Sequence, residues 1–152
     1  MVAYSFKPMF GDQVSSLTKR QTVRADRKRH ARPGEAVQLF QGMRTRNCIK
    51  LVNPDPVCIQ VLPIVIVTTL LLPEFIASIV IDGRSLHRDE IEAFAAADGF
   101  AIEHVGDWHF KRTAQRSGTG RPGSARWNMG AFWHAEHGEG LFEGKLIKWE
   151  PA

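Results

Sequence analysis

The chain opens with a short apolar run, "AYSF", that reads as a strand. "PMFGDQVSSLTK" follows, with Pro8 setting a helix start and Met9, Val14 and Leu17 as candidate buried positions. "RQTVR" reads as a second strand, whose period of two puts Arg20, Thr22 and Arg24 on one face and Gln21 and Val23 on the other. A straight strand would point Lys19 away from Thr22, so the two meet only if Lys19 sits in the turn before it. "ADRKRHARPGEA" is polar and ends in Pro33-Gly34, which predicts an exposed loop. "AVQLF" is the next strand, then "QGMRTR", then a hairpin centred on "NPDP" (53–56). The apolar stretch 57–81 is rich in Val, Ile and Thr and interrupted by Pro63, Pro73 and Glu74. It suits two or three buried strands better than a membrane-spanning helix.

The clearest helix is "DEIEAFAAAD" (89–98). Asp89 and Glu90 favour its positive end, Ile91, Phe94 and Ala95 form an apolar stripe, and Gly99 is the expected left-handed stop. Asp98 then falls in the last turn, where the helix dipole opposes a carboxylate and favours its protonated form. Residues 109–126 are basic, Gly- and Ser-rich and without periodicity, and read as a loop. "NMGAFWHAEHG" predicts a short helix and "LFEGKLIKWE" a final strand. Several short strands with closely spaced turn signals point to a small barrel or strongly bent sheet.

A chain of 152 residues fits one domain and can bury a core without staples. Across a symmetric "NPDP" turn Cys48 and Cys58 face other residues, so no disulfide is expected. With no secretory signal in "MVAYSFKPMF", the expectation is a cytoplasmic protein, monomeric and away from membranes. Charge is segregated along the chain. Residues 19–50 carry ten Lys or Arg against Asp26 and Glu35, while residues 51–110 carry Arg84 and Arg88 against nine acids. Lys111, Arg112, Arg116, Arg121 and Arg126 form a second basic cluster. The first cluster is either a solvated surface or a face for phosphates.

Four segments, "TKRQTVR" with "RPGEAVQLFQGMRT", then "AAADGF", "AFWHAEHG" and "LFEGKLIKW", resemble the ASCH domain, a branch of the PUA-like superfamily. The likeness is to ASCH proteins of phages and prophages. It spans most of the chain as a single domain 1–152, with residues 104–127 as an insertion and 62–79 matching poorly. It implies an α+β fold, a small PUA-like β-barrel with peripheral helices, and a cleft beside the first strand. One branch of the family removes the acetyl group from N4-acetylcytidine with a Lys-x-x-Thr pair and a glutamate; another member has been described as a ribonuclease. Lys19 and Thr22 fall on the Lys-x-x-Thr positions and Arg24 on the arginine that follows. The glutamate position falls on Asp98, one methylene shorter.

The resemblance therefore implies a catalytic set of Lys19, Thr22 and Asp98. Thr22 attacks an acyl carbon, Lys19 assists its deprotonation or steadies the oxyanion, and Asp98 passes a proton to the leaving amine. Arg20, Arg24, Arg44 and Arg46 are candidates for phosphate contacts through the guanidinium fork, with a structural pairing of Arg24 to Asp98 or Glu35 as the alternative. Trp108 and Trp127 flank the insertion and are candidates for base stacking. His134 and His137 share a helical face, with His104, Asp107 and His109 upstream, but a catalytic zinc wants three tightly held ligands. Neither a metal nor another cofactor is expected. The partner is a nucleoside, or an RNA bound along the same basic cleft.

Overall fold

The computed structural model describes residues 2–108 and 124–152. Strand β1 (Val2–Phe6) buries Val2, Tyr4 and Phe6 and leaves Ala3 and Ser5 half-buried, the alternation of a strand with one covered face. It pairs in parallel with β3 (Val37–Gln41), and β3 pairs antiparallel with β4 (Ile49–Lys50). Between β1 and β3 the chain forms α1 (Pro8–Ser15) and β2 (Gln21–Ala25). Pro8 occupies the first helical turn, where its missing N–H forfeits no bond. Strands β5 (Val57–Thr68), β6 (Ile76–Ile81), β7 (Arg84–Ser85) and β8 (Gly140–Glu150) join β2 in a five-stranded sheet of order β2-β8-β5-β6-β7.

The fold is α+β, but its strands lie in two open sheets rather than the expected PUA-like barrel. A barrel closes only when its edge strands pair with each other. Here β1 and the two-residue β4 are the edges of one sheet, β2 and the two-residue β7 those of the other, and neither pair of edges is joined. The expected hairpin about "NPDP" is also absent. Strand β4 turns back onto β3 through residues 42–48, and 53–56 is a connection into β5. Pro63 does not break its strand: it is exposed, and the pairing of β5 with β6 starts one residue later at Ile64.

The chain divides into two compact units, Met1–Leu62 with Lys145–Ala152, and Pro63–Gly144. In the first, Tyr4, Phe6, Phe10, Val14, Leu39, Cys58 and Trp149 are buried. In the second, Ile64, Ile66 and Ile79 of the sheet and Phe94, Phe100, Met129 and Trp133 of the helices are buried. Each Val, Leu, Ile, Phe or Met among them contributes about 1.5–3 kcal/mol over its exposed state.

The second unit contains α2 (Arg88–Ala95), a π-helical turn (Ala96–Phe100), α3 (Ile102–Val105) and α4 (Ala125–His137). The predicted helix 89–98 thus ends its α geometry at Ala95 and widens before Gly99, whose φ of 102° is the left-handed stop read from the sequence. Of the predicted insertion, 104–105 end α3, 125–127 begin α4, and 109–123 lie outside the described residues. No helix among the described residues is long and apolar enough to cross a membrane.

Candidate active site

The turn between α1 and β2 decides where Lys19 goes. Leu17 adopts a left-handed backbone (φ 61°), and the N–H groups of Thr18 and Lys19 both donate to the Gln13 carbonyl at 3.0 Å. Arg20 Nε donates to the Leu17 carbonyl at 2.7 Å, closing the reversal. Lys19 therefore lies in the turn before the strand, where its side chain turns inward and is 3% exposed. Its Nζ stands 5.1 Å from the centroid of the Phe10 ring and 5.9 Å from that of Phe6. Ring faces carry negative quadrupole charge, so two of them hold an ammonium where little water can.

Thr22, in β2, is 5% exposed, and its Oγ1 accepts a 3.0 Å hydrogen bond from Arg24 Nε. Arg24 Nη2 donates to the Ser5 carbonyl at 2.6 Å, and the guanidinium carbon lies 5.0 Å from the Phe6 centroid and 5.7 Å from that of Tyr4. Lys19 and Arg24 thus share the Phe6 ring, with Thr22 tied to the second. A cationic donor on a hydroxyl oxygen favours its deprotonated form, which is the state a threonine nucleophile must reach. The arrangement suits attack by an oxygen nucleophile beside two fixed positive charges.

Strand β1 anchors the basic loops. Ser5 Oγ accepts from Met43 N–H at 3.1 Å, fixing the turn that carries exposed Arg44 (φ 67°) and Arg46. Arg27 lies 4.6 Å from the Tyr4 centroid and donates to the Arg29 carbonyl at 2.9 Å. The Tyr4 hydroxyl accepts from Ala31 N–H and meets His30 Nδ1, both at 3.1 Å. The polar stretch read as an exposed loop is therefore pinned at Tyr4.

Family models, curated proteins and solved structures give no match to this chain. The site rests on its own geometry.

That geometry brings Lys19, Thr22 and Arg24 together in the first unit. Asp98 lies in the second unit, 5% exposed within the π-helical turn rather than in a last α-helical turn. Arg20 precedes β2, is exposed, and uses its Nε to close the turn, so it does not share the strand face expected for it. Trp108 packs against Phe132 (centroids 5.7 Å apart), which in turn meets Phe100 at 5.2 Å. Trp127 is half-buried in the first turn of α4, its N–H donating to Ser124 Oγ at 3.3 Å. His134 stacks on Phe75 and His137 on Trp133. Among the described residues no group of three or more His, Cys, Asp or Glu is placed to hold a metal. Cys48 and Cys58 are free thiols, the first exposed and the second buried, and burial pushes the Cys58 thiol up from its ordinary pKa.

The sequence reading missed the aromatic platform of Tyr4, Phe6 and Phe10. Its signal was available: Tyr4 and Phe6 are two apart on a predicted strand and so share a face, next to a helix that begins at Pro8.

Proposed function

We propose that this protein is a cytoplasmic ASCH-type amidohydrolase that removes the acyl group from an N4-acylated cytidine or a related nucleoside. The reading is carried by one observation, buried Lys19 and the Arg24 guanidinium at the same Phe6 ring, with the hydroxyl of buried Thr22 hydrogen-bonded to Arg24. The Lys-x-x-Thr-x-Arg spacing by which the chain resembles that family supports it. Thr22 Oγ bonds to the acyl carbon and loses its proton as the C–N bond breaks. The amine leaves carrying a proton, and water then releases the carboxylic acid and restores the hydroxyl. Lys19 steadies the negative oxygen of the tetrahedral intermediate, a contribution of about 3 kcal/mol for one well-placed donor. Arg24 holds the Thr22 oxygen.

The test is turnover of N4-acetylcytidine by the wild type and by Thr22→Ala, Lys19→Ala and Lys19→Met, with each variant's thermal melt recorded. Lys19→Met keeps the volume of the stem, so it separates lost chemistry from lost packing. Release of cytidine by the wild type, at least a hundredfold faster than by any folded variant, is expected. Undiminished cleavage by a folded Thr22 or Lys19 variant overturns the assignment. Asp98→Asn tests separately the proton transfer that the resemblance gives to Asp98.

A second reading is favoured by Arg44 and Arg46, exposed on a turn that Ser5 ties to the same cluster. An RNA-binding module or ribonuclease would use them as phosphate contacts. A polynucleotide ligand loses affinity steeply with salt, whereas hydrolysis of a neutral nucleoside does not.

A further inference from the structure

The second unit holds a pocket that takes no part in the proposed hydrolysis. Its floor is aromatic. Trp133 and His137, one turn apart on α4, stack with centroids 4.4 Å apart, and Phe142 at the start of β8 meets them at 4.5 and 4.9 Å. Leu141, 63% exposed, forms part of the rim. The volume, about 170 Å³, matches the roughly 150 Å³ that accommodates a benzene ring.

The lining carries one carboxylate, Glu139, beside the ring N–H groups of Trp133 and His137. Thr68 Oγ1 donates to the Gly138 carbonyl at 2.8 Å, so the hydroxyl spends its proton inside the wall. Glu139 Oε2 accepts from Leu70 N–H at 2.6 Å, which fixes the carboxylate while its second oxygen keeps its acceptor capacity. No Lys or Arg lines the space, and residues 131–144 contain Glu136, Glu139 and Glu143 but no Lys or Arg. His137 is held below its ordinary pKa mainly by burial, so near neutral pH its ring is an uncharged face rather than a competing cation. On a basic chain this is an acidic, π-faced recess.

We propose that this pocket binds an organic ammonium ion whose apolar or aromatic body lies against Trp133, His137 and Phe142 and whose charged head meets Glu139. Ring faces attract a cation, the carboxylate adds a charge-assisted hydrogen bond, and a neutral or anionic ligand of the same shape forfeits both. Such a head is carried either by a free amine or by a lysine side chain. The site is independent of Lys19 and Thr22.

The test uses the 152-residue chain titrated with 2-phenylethylammonium, 2-phenylethanol and 3-phenylpropionate. It is followed by calorimetry and by the amide shifts of Gly138 and Gly140 and the indole shift of Trp133. Saturable binding of the ammonium is expected, at least tenfold tighter than the alcohol, with the anion weakest. Glu139→Gln keeps an oxygen for Leu70 N–H and should weaken the ammonium about fivefold without changing the alcohol, and Leu141→Lys should abolish the preference for charge. Nα-acetyl-lysine methylamide separates the two sources: affinity equal to that of the free amine assigns the site to a lysine side chain, and weaker binding to a small amine. Equal affinity for ammonium and alcohol, unchanged binding in Glu139→Gln, or no saturable response to either amine overturns the proposal. Thr22→Ala should bind the ammonium as the wild type does, so this result stands apart from that of the hydrolase assay.

Discussion

His30 shows what a single side chain does for the basic loop. Its Nε2 faces the Ala25 carbonyl at 3.0 Å, which only a donor can satisfy, so the neutral ring carries its proton there and accepts at Nδ1 from the Tyr4 hydroxyl. Burial holds its pKa below 6.5; the bond to Ala25 acts the other way, and Arg27 adds to the lowering. A group whose folded pKa lies below its unfolded value gives stability that is complete above the unfolded value and lost as pH falls towards the folded one. Between pH 7.5 and 5.5 the urea midpoint of the wild type should therefore fall further than that of His30→Gln. Parallel falls would show that His30 titrates alike in both states. The sequence showed a basic, polar run ending in Pro-Gly and hence a loop. It could not show the pin, because Tyr4 and His30 are 26 residues apart and their meeting depends on the pairing of β1 with β3.

At the scale of elements, local signals found most helices and strands and missed what their neighbours impose. The start of α4 is an example. Ser124 caps it, and the Glu92 carboxylate of α2 accepts from the N–H groups of Ala125 and Arg126 at 2.9 and 3.0 Å, satisfying donors that a helix start leaves open. That cap comes from another element, and so the helix begins three residues before the apolar pattern suggested. The β6–β7 hairpin, by contrast, was legible and overlooked: Asp82-Gly83 is a two-residue turn signal, and both residues have positive φ. Helix α4 also carries a sharp test of packing. Gly130 faces the backbone of the loop before β6, where an added Cβ would come within 1.7 Å of the Glu74 carbonyl oxygen. Propensity alone says that Gly→Ala inside a helix stabilises by about 1 kcal/mol. Here the neighbour is backbone and cannot swing away, so Gly130→Ala should destabilise by about 3 kcal/mol in denaturant unfolding. A stabilised variant would show that α4 does not lie against Glu74.

Over the whole molecule, the barrel failed as an expectation because strand order is set by pairings between distant segments, which turn spacing does not encode. The charge segregation, in contrast, carried through. The unit Met1–Leu62 with Lys145–Ala152 has thirteen Lys or Arg against five acids, and the unit Pro63–Gly144 has seven against eleven. A polyanion should therefore be held by the first unit, whichever reading of the Lys19–Thr22 cluster is right. If Arg44 and Arg46 each neutralise a phosphate, the double variant Arg44→Ala/Arg46→Ala should bind single-stranded RNA more weakly at every salt concentration. It should also lower the slope of log K against log salt by about two, roughly one per contact removed. Arg84→Ala, in the acidic unit, should leave that slope unchanged, since Arg84 is paired with Glu90 at 3.0 Å. The same two variants separate the functional readings. Under the hydrolase, turnover of N4-acetylcytidine stays level as salt rises and survives the loss of Arg44 and Arg46. Under the RNA-binding module, affinity collapses with both. A wild-type RNA affinity indifferent to salt would remove the phosphate role from these arginines altogether.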